Sequence, residues 1–154
     1  MAKRTLANAH DKQEIIERTK RIQASSARLW GKMTCHQMVC HLCDSFRGPM
    51  GERQLSTGKM PGPRKLVKWI ALNSGITWPQ GVKTMPEADQ MIGGTPPVEF
   101  ERDRSELLLL LDRFGSNPRD FEWSPHPTLG TMSDEEWMRW GYLHMDHHLR
   151  QFGV

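Results

Sequence analysis

The sequence predicts an all-α fold, a four-helix bundle with a long, partly helical connection between its second and third main helices. Three observations carry this. Apolar residues recur at helical spacing in four separate stretches, each bounded by capping or breaking residues. No stretch alternates apolar and polar residues as a half-buried strand would. Between the second and third stretches lies a segment dense in proline and glycine, from Gly48 to Pro97. Four helices in series without strands bury their apolar stripes against one another, which is the bundle solution. The 154 residues suit a single domain over 1–154, in which about 70% of the extended chain's surface can be buried on folding.

The first helix is expected from about Asp11 to Gln23, with Ile15, Ile16, Thr19 and Ile22 forming its stripe. Gly31 interrupts the pattern, and Thr34 with Gln37 has the spacing of a capping box, so a second helix starts there and runs to about Arg47. Gly48, Pro49 and Gly51 end it. Inside the connection, PRKLVKWIALNSG reads as a short helix, with Pro63 at a first-turn position and Gly75 as its stop. A connection this long is more often a lid or binding wall than idle loop. The third main helix follows Pro96 and Pro97 and reaches about Phe114, with Phe100, Arg104, Leu107, Leu108, Leu111 and Phe114 on one face. A second capping box, Ser133 with Glu136, opens the tail helix, which continues to Phe152; Asp134 and Glu135 suit its positive end.

Composition excludes several classes. The longest aliphatic run is Leu107 to Leu111, far short of the roughly 20 apolar residues that span a bilayer. The first residues, MAKRTLANAHDK, carry charge without an apolar segment behind it, so no secretory signal is expected and the cytoplasm is the default location. Cys35, Cys40 and Cys43 crowd one helix in odd number, unlike a disulfide framework, and are expected as reduced thiols filling the interior. A net charge of +3 does not make nucleic acid a default partner. Local charge is less even: from Arg53 to Pro86 there is no acidic residue, while Arg53, Lys59, Arg64, Lys65, Lys68 and Lys83 all fall there. The sequence lacks HExxH, GxSxG, a phosphate loop and a dinucleotide fingerprint.

The chemistry gathers in the tail, WMRWGYLHMDHHLRQF. His144 and His148 lie one helical turn apart and share a face. With Trp137 at zero on an ideal wheel, His144 falls near about 340° and His148 near about 20°, inside the stripe of Trp137, Gly141, Met145 and Phe152. His147 lies on the flank at about 280° and is expected to be exposed, beside a surface Asp146. A single histidine on an apolar face is more often a hydrogen-bonded core residue. Two stacked imidazoles cannot both be charged there, and a shared metal ion resolves their burial. The second helix offers His36, Cys40, His41 and Cys43 as further ligands. A closed Cys2His2 zinc site from Cys40 and Cys43 with the tail pair is one arrangement, though the separation is not that of a zinc finger. On the wheel His41 is better placed than the cysteines but is not separated from His36. Asp146 and Gln151 are candidates to orient the imidazoles. His126 reads as a turn residue, and Trp30, Trp137 and Trp140 as core and rim aromatics.

WGKMTCHQMVCHLCDSFRG followed by MSDEEWMRWGYLHMDHHLRQFG resembles the DinB-like (DinB/YfiT) superfamily, in a bacterial branch catalogued as a domain of unknown function. The resemblance implies a four-helix bundle with a long connection between its second and third helices. It also implies a metal held by one histidine of the second helix and two of the last. Carried onto this chain, those are His41, His144 and His148. The implied activity is that of a metal-dependent, thiol-using transferase or isomerase. Zinc or nickel would be the metal, with iron or manganese as further candidates, and a low-molecular-weight thiol the cosubstrate. The cationic segment from Arg53 to Pro86, with Trp69 and Trp78, is expected to border the open side and attract an anionic, glutathione-like thiol. The rival expectation is a non-catalytic bundle that binds a metal or ligand and acts as a homodimer in a stress response.

Overall fold

The computed structural model describes residues 3–154 and is all-helical, with five α-helices and, among the described residues, no strand. Helix α1 spans Ala9–Arg21. It begins two residues before the expected start because the Asn8 side chain accepts from the His10 and Asp11 amides. Its end comes at Ile22, whose extended backbone leaves the helix. Helix α2, Cys35–Arg47, opens with the expected Thr34–Gln37 capping box, and both reciprocal hydrogen bonds form. Helix α3, Arg64–Asn73, is the short helix of the connection, with Pro63 as its N-cap and not, as expected, inside its first turn. A single 3-10 turn, Pro86–Ala88, follows.

Helix α4, Phe100–Phe114, is capped by Glu99, whose carboxylate accepts from the Glu101 and Arg102 amides. The buried stripe is Phe100, Leu107, Leu110, Leu111 and Phe114. Leu110 thus takes an inner position that the expected face gave to Leu108, which is half-buried. Helix α5, Asp134–Gln151, carries the Ser133–Glu136 capping box. Each box satisfies two amides that the helix itself cannot, and loss of the capping hydroxyl typically costs about 1 kcal/mol.

Helix α2 packs on α4, and α1 on α5; α1 also touches α4, and α2 touches α5. The interior between them holds Ile15, Ile22, Met38, Leu42, Phe46, Leu107, Phe114, Trp137, Met145 and Leu149, all essentially sealed from solvent. Phe46 meets Phe114 edge to face at 4.8 Å, and Trp123 stacks on Trp137 at 5.2 Å. Gly141 makes this approach of helices feasible. A Cβ there would lie 2.6 Å from Leu6 Cδ1 and 3.0 Å from Phe114 Cε1. Among the described residues, no helix is long and apolar enough to cross a membrane.

Helix α2 is buried nearly all round, including Cys40, Cys43 and Asp44. The wheel's outer side is covered by α4 and by the segment that follows the 3-10 turn. Asp44 holds that segment down: its carboxylate accepts from the Thr95 amide at 2.8 Å, the Thr95 hydroxyl at 2.7 Å and Gln90 Nε2 at 3.0 Å. Arg53 completes the strap, donating to the carbonyls of Glu87 and Gly93 at 2.6 Å each.

Candidate metal centre

His41, from the middle of α2, meets His144 and His148 from α5. One ring nitrogen of each lies within 4.8 Å of the others. Ring centroids are 5.4 Å apart for His41 and His144, 4.7 Å for His41 and His148, and 5.0 Å for His144 and His148. The helical period puts His144 over His148, and the α2–α5 contact brings His41 against them. His41 and His148 are buried, while His144 keeps partial exposure.

Hydrogen bonds set which nitrogens are available. His41 Nδ1 donates to the Ala88 carbonyl at 2.8 Å, so its lone pair is on Nε2. His148 Nδ1 lies 3.0 Å from Gln151 Oε1, and Gln151 Nε2 donates to the Trp30 carbonyl at 2.9 Å. The amide oxygen can only accept, so His148 likewise presents Nε2. His41 Nε2 and His144 Nε2 face each other at 3.3 Å. Two nitrogens about 2.0–2.1 Å from one tetrahedral ion would be separated by roughly 3.3 Å. The buried His144 Nδ1 has no hydrogen-bond partner among the described residues. Two of the three rings therefore have the orienting partner typical of a metal-ligating histidine. The donor set fits a divalent first-row metal.

Burial holds all three imidazoles below their usual pKa, and the mutual repulsion of the rings lowers His144 and His148 further. Neutral imidazole is the metal-binding form. Ser45 Oγ sits 3.4 Å from His41 Nε2, a neighbour that the wheel did not single out. The signal was its position one turn after His41.

The other expected site residues divide clearly. Gln151 orients His148, as anticipated. Asp146 does not touch the imidazoles; it accepts from Arg18 at 2.8 Å and Arg150 at 2.9 Å, tying α5 to α1. His147 is half-buried between Trp30 and Trp78 and is not the exposed flank residue expected. His126 is a turn residue, bridged to Gly130, with Nδ1 accepting the amides of Thr128 and Leu129 at 3.1 Å. Trp137 and Trp140 are buried, whereas Trp30 is half-buried at the rim.

The Cys2His2 arrangement does not form. Cys40 Sγ lies 3.6 Å from Asp103 Oδ2 and Cys43 Sγ 3.7 Å from the Asp103 carbonyl, on the α4 side of α2. His36 pairs with Asp103 at 2.7 Å and stays out of the three-histidine cluster. All three cysteines are free and buried. Burial raises the Cys35 thiol to about 11 and the Cys40 thiol to about 12, where nearby Asp103 adds to the shift, so both are protonated at neutral pH.

The connection covers the site in part. Trp78 lies 6.0 Å from the His144 ring and 6.2 Å from the His147 ring, and its Nε1 donates to the Ala71 carbonyl at 2.8 Å. A cavity of about 150 Å³ runs along Trp78, bordered by Thr77, Arg139, Leu143, Asp146 and Arg150. Trp69 is exposed and forms no aromatic pair among the described residues. Of the six cations in the segment, Arg53 and Lys68 are committed internally, the latter to Glu136 at 2.8 Å and the Thr131 carbonyl at 3.1 Å.

Residues 83–153 match the family described as a protein of unknown function (DUF1569). That span is a little under half of the chain; it contains α4, α5, His144 and His148 and leaves out α2 with His41. No curated protein and no solved structure matches the chain significantly.

Proposed function

We propose that the chain is a DinB-like four-helix bundle whose His41, His144 and His148 hold a divalent metal, zinc or nickel, for a transferase or isomerase reaction of a low-molecular-weight thiol. The observation that supports this reading is the convergence of three neutral imidazoles, two with Nδ1 tied back, on a point between α2 and α5. Three protein ligands leave a coordination position open, as catalysis requires. A metal bound there supplies Lewis acidity, lowering the pKa of a bound thiol or water so that a nucleophile forms at neutral pH.

The chain's own residues supply orientation and cover. Ala88 and Gln151 hold two rings in the tautomer that presents Nε2. Trp78 shields His144 from bulk water on one side. Arg139 and Arg150, with Asp146 beside them, line the cavity along Trp78, and the two guanidinium groups would meet a carboxylate of the cosubstrate there. Arg150 shares its guanidinium with Asp146, and Arg139 Nε donates to the Leu72 carbonyl at 3.1 Å, which holds both in place.

Metal analysis of the purified protein and of His148→Ala tests the site. The variant is expected to hold one equivalent of metal fewer than the unaltered protein. A protein without stoichiometric metal, in which the substitution alters stability alone, refutes the reading. Calorimetric titration of metal-loaded and metal-free protein with glutathione then tests the thiol: binding is expected only with metal. Full metal occupancy with no exchangeable position and no thiol binding favours a non-catalytic bundle acting as a homodimer.

A further inference from the structure

The opposite side of α2 carries a second convergence of ligand types. His36 and Cys40 are one turn apart and face Asp103 in the first turn of α4. His36 Nε2 lies 2.7 Å and Cys40 Sγ 3.6 Å from the same oxygen, Asp103 Oδ2, which also accepts the Val98 amide at 3.2 Å. One donor atom from each of the three side chains lies within 4.8 Å of the others. Phe100 packs edge-on against the His36 ring at 5.4 Å and fixes its plane. A cavity of about 370 Å³ adjoins the cluster, with Cys40, Asp103, Thr95 and Glu106 in its wall together with the cations Arg47 and Arg102.

We propose that His36, Cys40 and Asp103 form a second metal site, for zinc, with its fourth position open to this cavity and filled by water. Imidazole, thiolate and carboxylate are the three ligand types that zinc accepts, and a thiolate discriminates against magnesium and calcium. An ordinary His–Asp ion pair between α2 and α4 needs no thiol, yet Cys40 is directed at the same carboxylate oxygen. Ligation displaces the Cys40 proton to solvent, giving a thiolate and a carboxylate around the dication. The His36–Asp103 contact opens from 2.7 Å towards roughly 3.3 Å, the separation of two ligands on a tetrahedral zinc. Successive residues on a helix diverge by about 100°, so Cys40 serves α4 while His41 serves α5, and the two sites are independent.

Cobalt(II), used alone in place of zinc on the full-length metal-free protein, separates the sites by colour. A thiolate ligand gives a near-ultraviolet sulfur-to-cobalt charge-transfer band, which three imidazoles cannot. The band is expected in the unaltered protein and in the double variant His144→Ala, His148→Ala, whose cobalt stoichiometry falls by one. It is expected to persist in Cys43→Ala and to vanish in Cys40→Ser and Asp103→Asn with helical circular dichroism unchanged. Absence of the band from the unaltered protein, its survival in Cys40→Ser, or its loss in Cys43→Ala overturns the assignment. Should Cys40→Ser fail to fold, X-ray absorption of the zinc-loaded unaltered protein decides: one sulfur neighbour per two zinc ions upholds the site, and none refutes it.

Discussion

His41 Nε2 and His144 Nε2 face each other at 3.3 Å across 103 residues of sequence, each on a different helix. His41 turns its Nδ1 proton to Ala88, so its Nε2 carries a lone pair. The arrangement therefore stands or falls with the groups that hold each ring.

Gln151 is the first of these. Its side chain links His148 to the Trp30 carbonyl, and Gln151→Leu keeps the volume while removing both bonds. Loss of such an orienting partner typically weakens metal binding roughly 10–100-fold. Competition with a chromophoric chelator measures this. An unchanged affinity would mean that His148 is held by packing alone.

Asp44 is the second, acting at a distance. Its fully buried carboxylate secures Thr95, Gln90 and Arg53, and thereby the segment whose Ala88 carbonyl orients His41. Removing one partner of a buried charge pair costs about 3–5 kcal/mol, and Arg53 retains carbonyl acceptors, so Asp44→Ala is expected near the lower end. Urea unfolding gives the loss. Hydrogen exchange at Ala88 and Thr95 should rise more than exchange in α1.

Protonation provides the third expectation. Burial lowers the His126 pKa to about 4, from an ordinary value near 6.5. Below pH 6.5 the unfolded chain then binds a proton that the folded one refuses, so stability rises with pH across this window and is lost on acidification. One such proton contributes about 1.4 kcal/mol per pH unit between about 6.5 and 4. His126→Asn keeps an acceptor for the Thr128 and Leu129 amides without titrating, and should flatten the acid slope by that amount. Unfolding midpoints of metal-free protein across this range are the measurement; an unaltered slope contradicts it.

Trp78 supplies the fourth. Its ring screens His144 and His147, so Trp78→Ala should speed the removal of bound metal by an external chelator, while Trp78→Phe restores most of the cover. Equal removal rates in all three proteins would take Trp78 out of the site.

Much of the fold is legible in the residues. Both capping boxes announce the starts of α2 and α5, since Thr34–Gln37 and Ser133–Glu136 are local reciprocal bonds that need no tertiary partner. Helix α1 starts two residues before its apolar stripe suggests, because Asn8 caps from outside that stripe. The run of five leucines in α4 offers several stripes, and only the packing of α2 and α1 selects Leu110 over Leu108 for the inner face.

For the site, sequence by itself determined that His144 and His148 share the buried face of one helix, because the helical period alone imposes it. Residue periodicity left the third histidine open between His36 and His41, and the family resemblance pointed to His41. Tertiary structure decided that His36 and Cys40 turn towards Asp103 while His41 meets the tail pair, and that the carbonyl of Ala88 sets which nitrogen His41 offers. A helix dictates the angles between its own side chains. Which neighbour each angle meets is set by non-local packing, and here that packing gives adjacent residues of α2 to different helices.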